Sequence, residues 1–100
     1  MFSYRISGPA DKEIDDILTH IAEDAGVEAG LGIVSDFLDL FYLLAQQPRA
    51  GRLVPEFGRE IRRFPCGAYL IYYRVQKTCI EVLHVFHGRR DQKKAWRKRP

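Results

Sequence analysis

The sequence predicts an α+β domain in which a two-helix hairpin packs on one face of a small, mainly antiparallel sheet, in the chain order β-α-α-β-β-β, with a short basic segment at the C-terminus. Three observations predict it. Apolar residues recur at helical spacing through residues 10–21 and again through 31–45, and from Arg59 onward the period changes to two. The link between the two helical stretches is short, so the helices must run antiparallel. The chain has 100 residues, enough for one core and too few for two, so residues 1–100 form a single domain.

Phe2, Tyr4 and Ile6 alternate with Ser3, Arg5 and Ser7, as in a strand with one buried face. Gly8-Pro9 ends that strand and opens a helix, with Asp11 and Glu13 placing negative charge at its positive end. Ala10, Ile14, Ile17, Leu18 and Ile21 form the inner face, and the helix fades near Gly26. The second helix runs from Val27 to Gln47 and stops before Pro48. It carries two apolar stripes: Ile33, Phe37, Leu40 and Leu44, and, centred roughly 100° or more around the axis, Leu31, Val34, Leu38, Tyr42 and Ala45. One stripe meets the sheet. The other either packs on the first helix or is left partly open to a partner at Leu38 and Tyr42. Gly30 and Gly32 weaken the helix locally and permit close approach of the first one.

Pro48–Gly58 reads as a surface loop, Arg59–Phe64 as a strand, Pro65-Cys66-Gly67 as a turn and Ala68–Val75 as a strong strand. A reversal at Gln76-Lys77 leads into Cys79–Phe86, and pairing Val75 with Thr78 sets Tyr69 opposite His84, Ile71 opposite Val82 and Tyr73 opposite Ile80. One sheet face packs on the helices. The other mixes Leu70, Leu83 and Val85 with Arg74 and Glu81 and stays partly open.

An apolar share of 46% and a charged share of 29% exclude a disordered chain. No run approaches the roughly 18 apolar residues of a membrane span, and the start lacks the layout of a signal peptide, so a cytoplasmic protein is expected. Cys66 and Cys79 fall at opposite ends of a hairpin, too far apart to bridge, and are expected as reduced, buried thiols. Charge divides along the chain. Residues 1–48 carry two basic side chains against nine acidic ones, and residues 49–100 carry fourteen against four. Residues 88–100 alone have a net charge of +6, which suits an anionic partner or a solvated tail. His20, His84 and His87 lack metal-ligand spacing, and no phosphate loop or nucleophile elbow occurs, so neither metal nor cofactor is expected.

Five segments in this order resemble the RelE/ParE toxins. They are Ala10 with Asp15, Asp16, Ile17 and Ile21; Leu43-Leu44-Ala45-Gln46-Gln47-Pro48-Arg49-Ala50-Gly51-Arg52; Ile61-Arg62; Tyr69, Ile71, Tyr73 and Arg74; and Val82, Val85 and His87-Gly88-Arg89-Arg90-Asp91. Pro48-x-x-Gly51-Arg52 and His87-Gly88-Arg89-Arg90-Asp91 lean toward the ParE (plasmid stabilisation) branch. The resemblance implies a bacterial type II toxin that arrests growth by poisoning DNA gyrase, without catalytic residues of its own, neutralised by a ParD-like antitoxin in a hetero-oligomer. It further implies antitoxin contacts at Leu31, Leu38, Tyr42, Arg62, Arg63 and Arg74, and target contacts at Arg89, Arg90 and Trp96. The alternatives are a RelE-like, ribosome-dependent messenger RNA interferase and a degenerate, inactive toxin. On the interferase reading Arg62, His84, His87, Arg89 and Arg90 carry the chemistry, with histidine taking the 2′-hydroxyl proton and arginine holding phosphate. Against that reading, His84 beside a tyrosine suits a satisfied sheet histidine, His87 suits a structural or partner contact, and Trp96 cannot transfer a proton. Charge alone leaves a third reading, nucleic-acid binding by the basic segment 92–100.

Overall fold

A computed structural model of the chain describes residues 3–97. Strand β1 (Ser3–Ile6) is followed by helices α1 (Gly8–Ala25) and α2 (Val27–Gln46), strand β2 (Arg52–Leu53), a 3-10 turn (Pro55–Phe57), strands β3 (Ile61–Cys66), β4 (Tyr69–Val75) and β5 (Cys79–His87), and helix α3 (Gln92–Arg97). The expected order holds, with β2 and α3 added. The strands form one sheet in the order β1-β5-β4-β3-β2, parallel between β1 and β5 and antiparallel elsewhere.

The helix boundaries follow from local chemistry. The Ser7 hydroxyl accepts the Ala10 amide at 3.2 Å and caps α1, with Pro9 in its first turn. Gly26 alone links the helices, at φ +99°. A side chain at Gly30 would meet Leu18 Cδ1 at 2.8 Å and the Leu18 carbonyl at 3.0 Å, so this glycine does let α1 approach, whereas Gly32 faces open space. Phe37, Phe41, Leu44 and Ala45 of α2 bury against Ala10 and Ile14 of α1 and against Ile71, Tyr73, Ile80, Val82 and Val85 of the sheet. Tyr73 and Val82 are fully buried there, as the helix-on-sheet reading requires.

Several expectations are corrected. The β4–β5 register differs: Tyr69 lies opposite His87, Ile71 opposite Val85 and Tyr73 opposite Val82. The Gln76 amide donates to the Cys79 carbonyl at 2.8 Å, which moves the reversal to Lys77-Thr78 and slides the pairing by two residues. A bulge between Tyr72 and Tyr73 then leaves Leu83 as an extra residue on β5 and slides it by one more. His84 therefore faces Tyr72, and Val85 joins the helix-covered face.

The segment expected as a loop from Pro48 to Gly58 contains β2, and β3 runs through Cys66 so that the next reversal falls at Gly67-Ala68. The sheet's second face, expected to be partly open, is covered over part of its area by a second core of Val54, Ile61, Tyr72, Phe86, Ala95 and Trp96, while its other end, with Arg74 and the exposed Arg5–Glu81 pair, lies outside that core. What read as a basic tail is, over residues 92–97, a helix docked through its apolar side. Residues 98–100 lie outside the described residues.

Cys66 and Cys79 are free and half-buried. Burial, and then the carboxylate of Asp36, push the Cys66 thiol up, which keeps it a poor nucleophile.

Candidate functional site

Helix α2 has more apolar surface than its neighbours cover. Val34 and Ala45 of its second stripe turn inward, but Leu31 (54% exposed), Leu38 (39%) and Tyr42 (60%) stay in water with Val27 (64%) on the same side. Single exposed apolar residues are ordinary on a protein surface, whereas here four fall along one helix face. Leu43 near the end of α2 and Leu53 on β2 are also exposed.

The basic residues expected to meet an acidic partner sit on β3 and β4. Arg62 donates to the Gly51 carbonyl at 2.7 Å and to the Arg49 carbonyl at 3.4 Å, so its guanidinium is held against the loop after α2. Arg63 donates to the Tyr72 hydroxyl at 3.3 Å, with its guanidinium carbon 5.8 Å from the ring centroid. Arg74 lies opposite Glu81, whose carboxylate is engaged by Arg5 at 3.0 Å and by Gln76 at 3.3 Å. Among the described residues, none of the three arginines forms an ion pair.

The Pro48-x-x-Gly51-Arg52 segment has a structural explanation. The Tyr73 hydroxyl accepts the Gly51 amide at 2.9 Å and donates to the Pro48 carbonyl at 2.7 Å. A Cβ at Gly51 would come within 2.7 Å of that hydroxyl and 3.0 Å of the Arg63 carbonyl, so no side chain fits. Burial pushes the phenol up more than the Gly51 amide and Arg62 lower it, which keeps it a donor at neutral pH. Tyr73→Phe strands both backbone groups and is expected to cost about 1–3 kcal/mol of stability, read as a lower urea midpoint at unchanged slope.

The groups that an RNA-cleaving reading needs do not converge. His84 is 3% exposed. Its Nδ1 lies 2.8 Å from Glu13 Oε2, and its ring stacks on Phe86 at 4.7 Å and meets Trp96 edge-on at 4.5 Å. It is a satisfied core histidine. His87 packs on Tyr69 and accepts the Arg89 amide at Nδ1 (3.1 Å), which places the proton of the neutral ring on Nε2. It lines an open groove of about 310 Å³ with Glu13, Asp16, His20 and Arg90. Arg62 is opposite Tyr73, while His87 is opposite Tyr69. Four residues of extended strand separate those positions by about 13 Å.

Arg89 and Arg90 are exposed just beyond β5. Trp96 is not: it is 7% exposed and packs against Phe57, Tyr72 and His84. Its role in this structure is to hold α3. Two side chains escaped sequence reasoning. Glu13 read only as a charge in the first turn of a helix, and nothing local announces that it reaches β5. Phe41, fully buried, falls between the two stripes of α2 at about 100° per residue.

The chain is a helical hairpin on a five-stranded sheet with an apolar face of α2 left uncovered, and comparison with known proteins places it among the toxins of type II toxin–antitoxin systems. It is similar to a solved chain of the chromosomal ParDE TA system from P. aeruginosa, with a TM-score of 0.74 and 25% identity, over 87% of this chain and 96% of that one. It is 28% identical to Toxin ParE1 of Caulobacter vibrioides over 87 residues, 87% of this chain and 90% of the relative. The family described as ParE toxin of type II toxin-antitoxin system, parDE, matches residues 4–92, and the chain belongs to that family.

Proposed function

We propose that this ParE-family toxin arrests bacterial growth from within the cytoplasm by poisoning DNA gyrase, and that a cognate ParD-like antitoxin neutralises it. The observation that carries the reading is the stripe of Val27, Leu31, Leu38 and Tyr42, apolar surface left in water by a chain that builds an apolar core on each face of its sheet. An antitoxin segment that folds on contact would lay an apolar face along this stripe and set acidic groups toward Arg62, Arg63 and Arg74. The gyrase half is supported by the branch of the family and by the scattering of the acid–base residues. Among the described residues no helix is long and apolar enough to cross a membrane.

Two measurements test this. Leu38→Asp combined with Tyr42→Asp is expected to weaken antitoxin binding by about 30-fold or more, since both side chains would lose a buried apolar contact. Unchanged binding removes the stripe from the interface. On induction of the chain without its antitoxin, the DNA-damage response and filamentation are expected before translation stops. Translation stopping first would instead favour messenger RNA cleavage, and unimpaired growth would mean an inactive toxin.

A further inference from the structure

Residues 89–97 contain Arg89, Arg90, Lys93, Lys94 and Arg97, all exposed, and among the described residues none of them forms an ion pair. Four acidic side chains lie nearby, Asp91, Glu56 and, in one groove with Arg90, Glu13 and Asp16, and none forms an ion pair with them. Asp91 is engaged by α3 itself, its carboxylate accepting the Lys94 amide at 3.1 Å and its carbonyl the Ala95 amide at 2.9 Å. Glu56 lines a shallow groove with Lys93 and Arg97 without pairing to either. In the sequence Lys98 and Arg99 continue the run.

This charge is mounted on a fixed platform. Trp96 stacks on Phe57 at 5.6 Å, and Gln92 donates to the His87 and Arg90 carbonyls while accepting the Tyr72 hydroxyl at 2.7 Å. The cations therefore project from a helix whose position on the sheet is set, unlike those of a solvated tail.

The kind of partner follows from what the patch lacks. A specific protein interface needs an apolar centre, and among the described residues the exposed large apolar ones are Val27, Leu31, Leu38, Tyr42, Leu43 and Leu53, all on α2 or β2. A single strand of nucleic acid needs exposed rings for base stacking, and on this side Tyr72, Phe86 and Trp96 are buried in the second core, while the half-buried Phe57 already stacks on Trp96. Cations alone suffice for the phosphates of a duplex, which bind by releasing counterions and need neither. We propose that Arg89, Arg90 and α3 form a sequence-independent contact to the phosphate backbone of duplex DNA. The contact does not depend on which target the toxin poisons.

The test is fluorescence anisotropy of the full chain against a labelled duplex of about 30 base pairs, titrated between about 50 and 200 mM salt. The logarithm of the binding constant is expected to fall against the logarithm of salt with a slope of about −3 to −5, for up to five phosphate contacts. K93Q/K94Q/R97Q should make that slope shallower by about 2–3, while R49Q/R52Q/R59Q, which removes the same charge from exposed arginines elsewhere, should leave it nearly unchanged. All six side chains are exposed, and circular dichroism of each variant checks that the fold survives. Equal effects of the two triple variants, or no duplex binding at the lowest salt, overturns the proposal. So does tighter binding of a single strand of equal length, or displacement of the duplex by an acidic peptide at matched charge.

Discussion

Trp96→Ala is expected to cost about 3–5 kcal/mol of folding stability, the largest single loss available on the sheet's second face. The indole stacks on Phe57 and meets Tyr72, His84 and Phe86 with centroids 5.2, 4.5 and 6.4 Å away, so its removal empties the middle of that core. Helix α3 has six residues, far fewer than the roughly 12–15 at which an isolated helix becomes even marginal, and it holds its shape only while docked. Losing the wedge therefore also loosens the helix and wets Tyr72 and Phe86. Against a total of about 5–15 kcal/mol for a domain of this size, such a loss is a large share. Urea denaturation followed by circular dichroism measures it, and Trp96→Phe, which keeps a ring in the core, is expected to lose markedly less. A loss below about 1 kcal/mol for the alanine variant would show that the indole is not the centre of the packing, and would reopen its role as a target contact.

That tryptophan marks where the sequence stops being legible. The two long helices announce themselves because each repeats its apolar spacing over several turns, and their boundaries at Gly26 and Pro48 are written in residue chemistry. Strand β2, with two residues, and α3, with one and a half turns, are too short for any period to register. The hairpin register depended on a single extra residue at Leu83 and on where a tight reversal closes, and neither has a signature in composition. Candidate site residues divided in the same way. The surplus of Leu31, Leu38 and Tyr42 was visible because a helix apolar over more than half its circumference cannot hide it all between one sheet and one neighbour. Convergence of Arg62 with His84 and His87 was a guess about distance, and the strand order places those residues apart.

Glu13→Ala is expected to cost about 2–4 kcal/mol, although the residue stands in the first turns of a helix and its side chain is 22% exposed. The reason lies at the edge of the sheet. Strand β1 ends at Ile6, opposite Val82, and beyond that point β5 has no neighbouring strand on the side away from β4. Ser7 takes over first, its amide donating to the Val82 carbonyl at 3.0 Å and its hydroxyl to the Leu83 carbonyl at 3.1 Å. The Glu13 carboxylate then accepts the Val85 amide at 2.9 Å with one oxygen and lies 2.8 Å from His84 Nδ1 with the other. One side chain thus replaces a missing strand and satisfies a histidine enclosed by Phe86 and Trp96. Alanine leaves two buried donors without acceptors. Glutamine keeps an acceptor for Val85 and can donate to His84 once the ring moves its proton to Nε2, so Glu13→Gln should recover most of the loss. Hydrogen exchange supplies the local readout: the Val85 amide should stay protected in the native chain and in Glu13→Gln, and exchange faster in Glu13→Ala. An alanine variant as stable as the native chain, with Val85 still protected, would show that the sheet edge is closed by something other than this carboxylate.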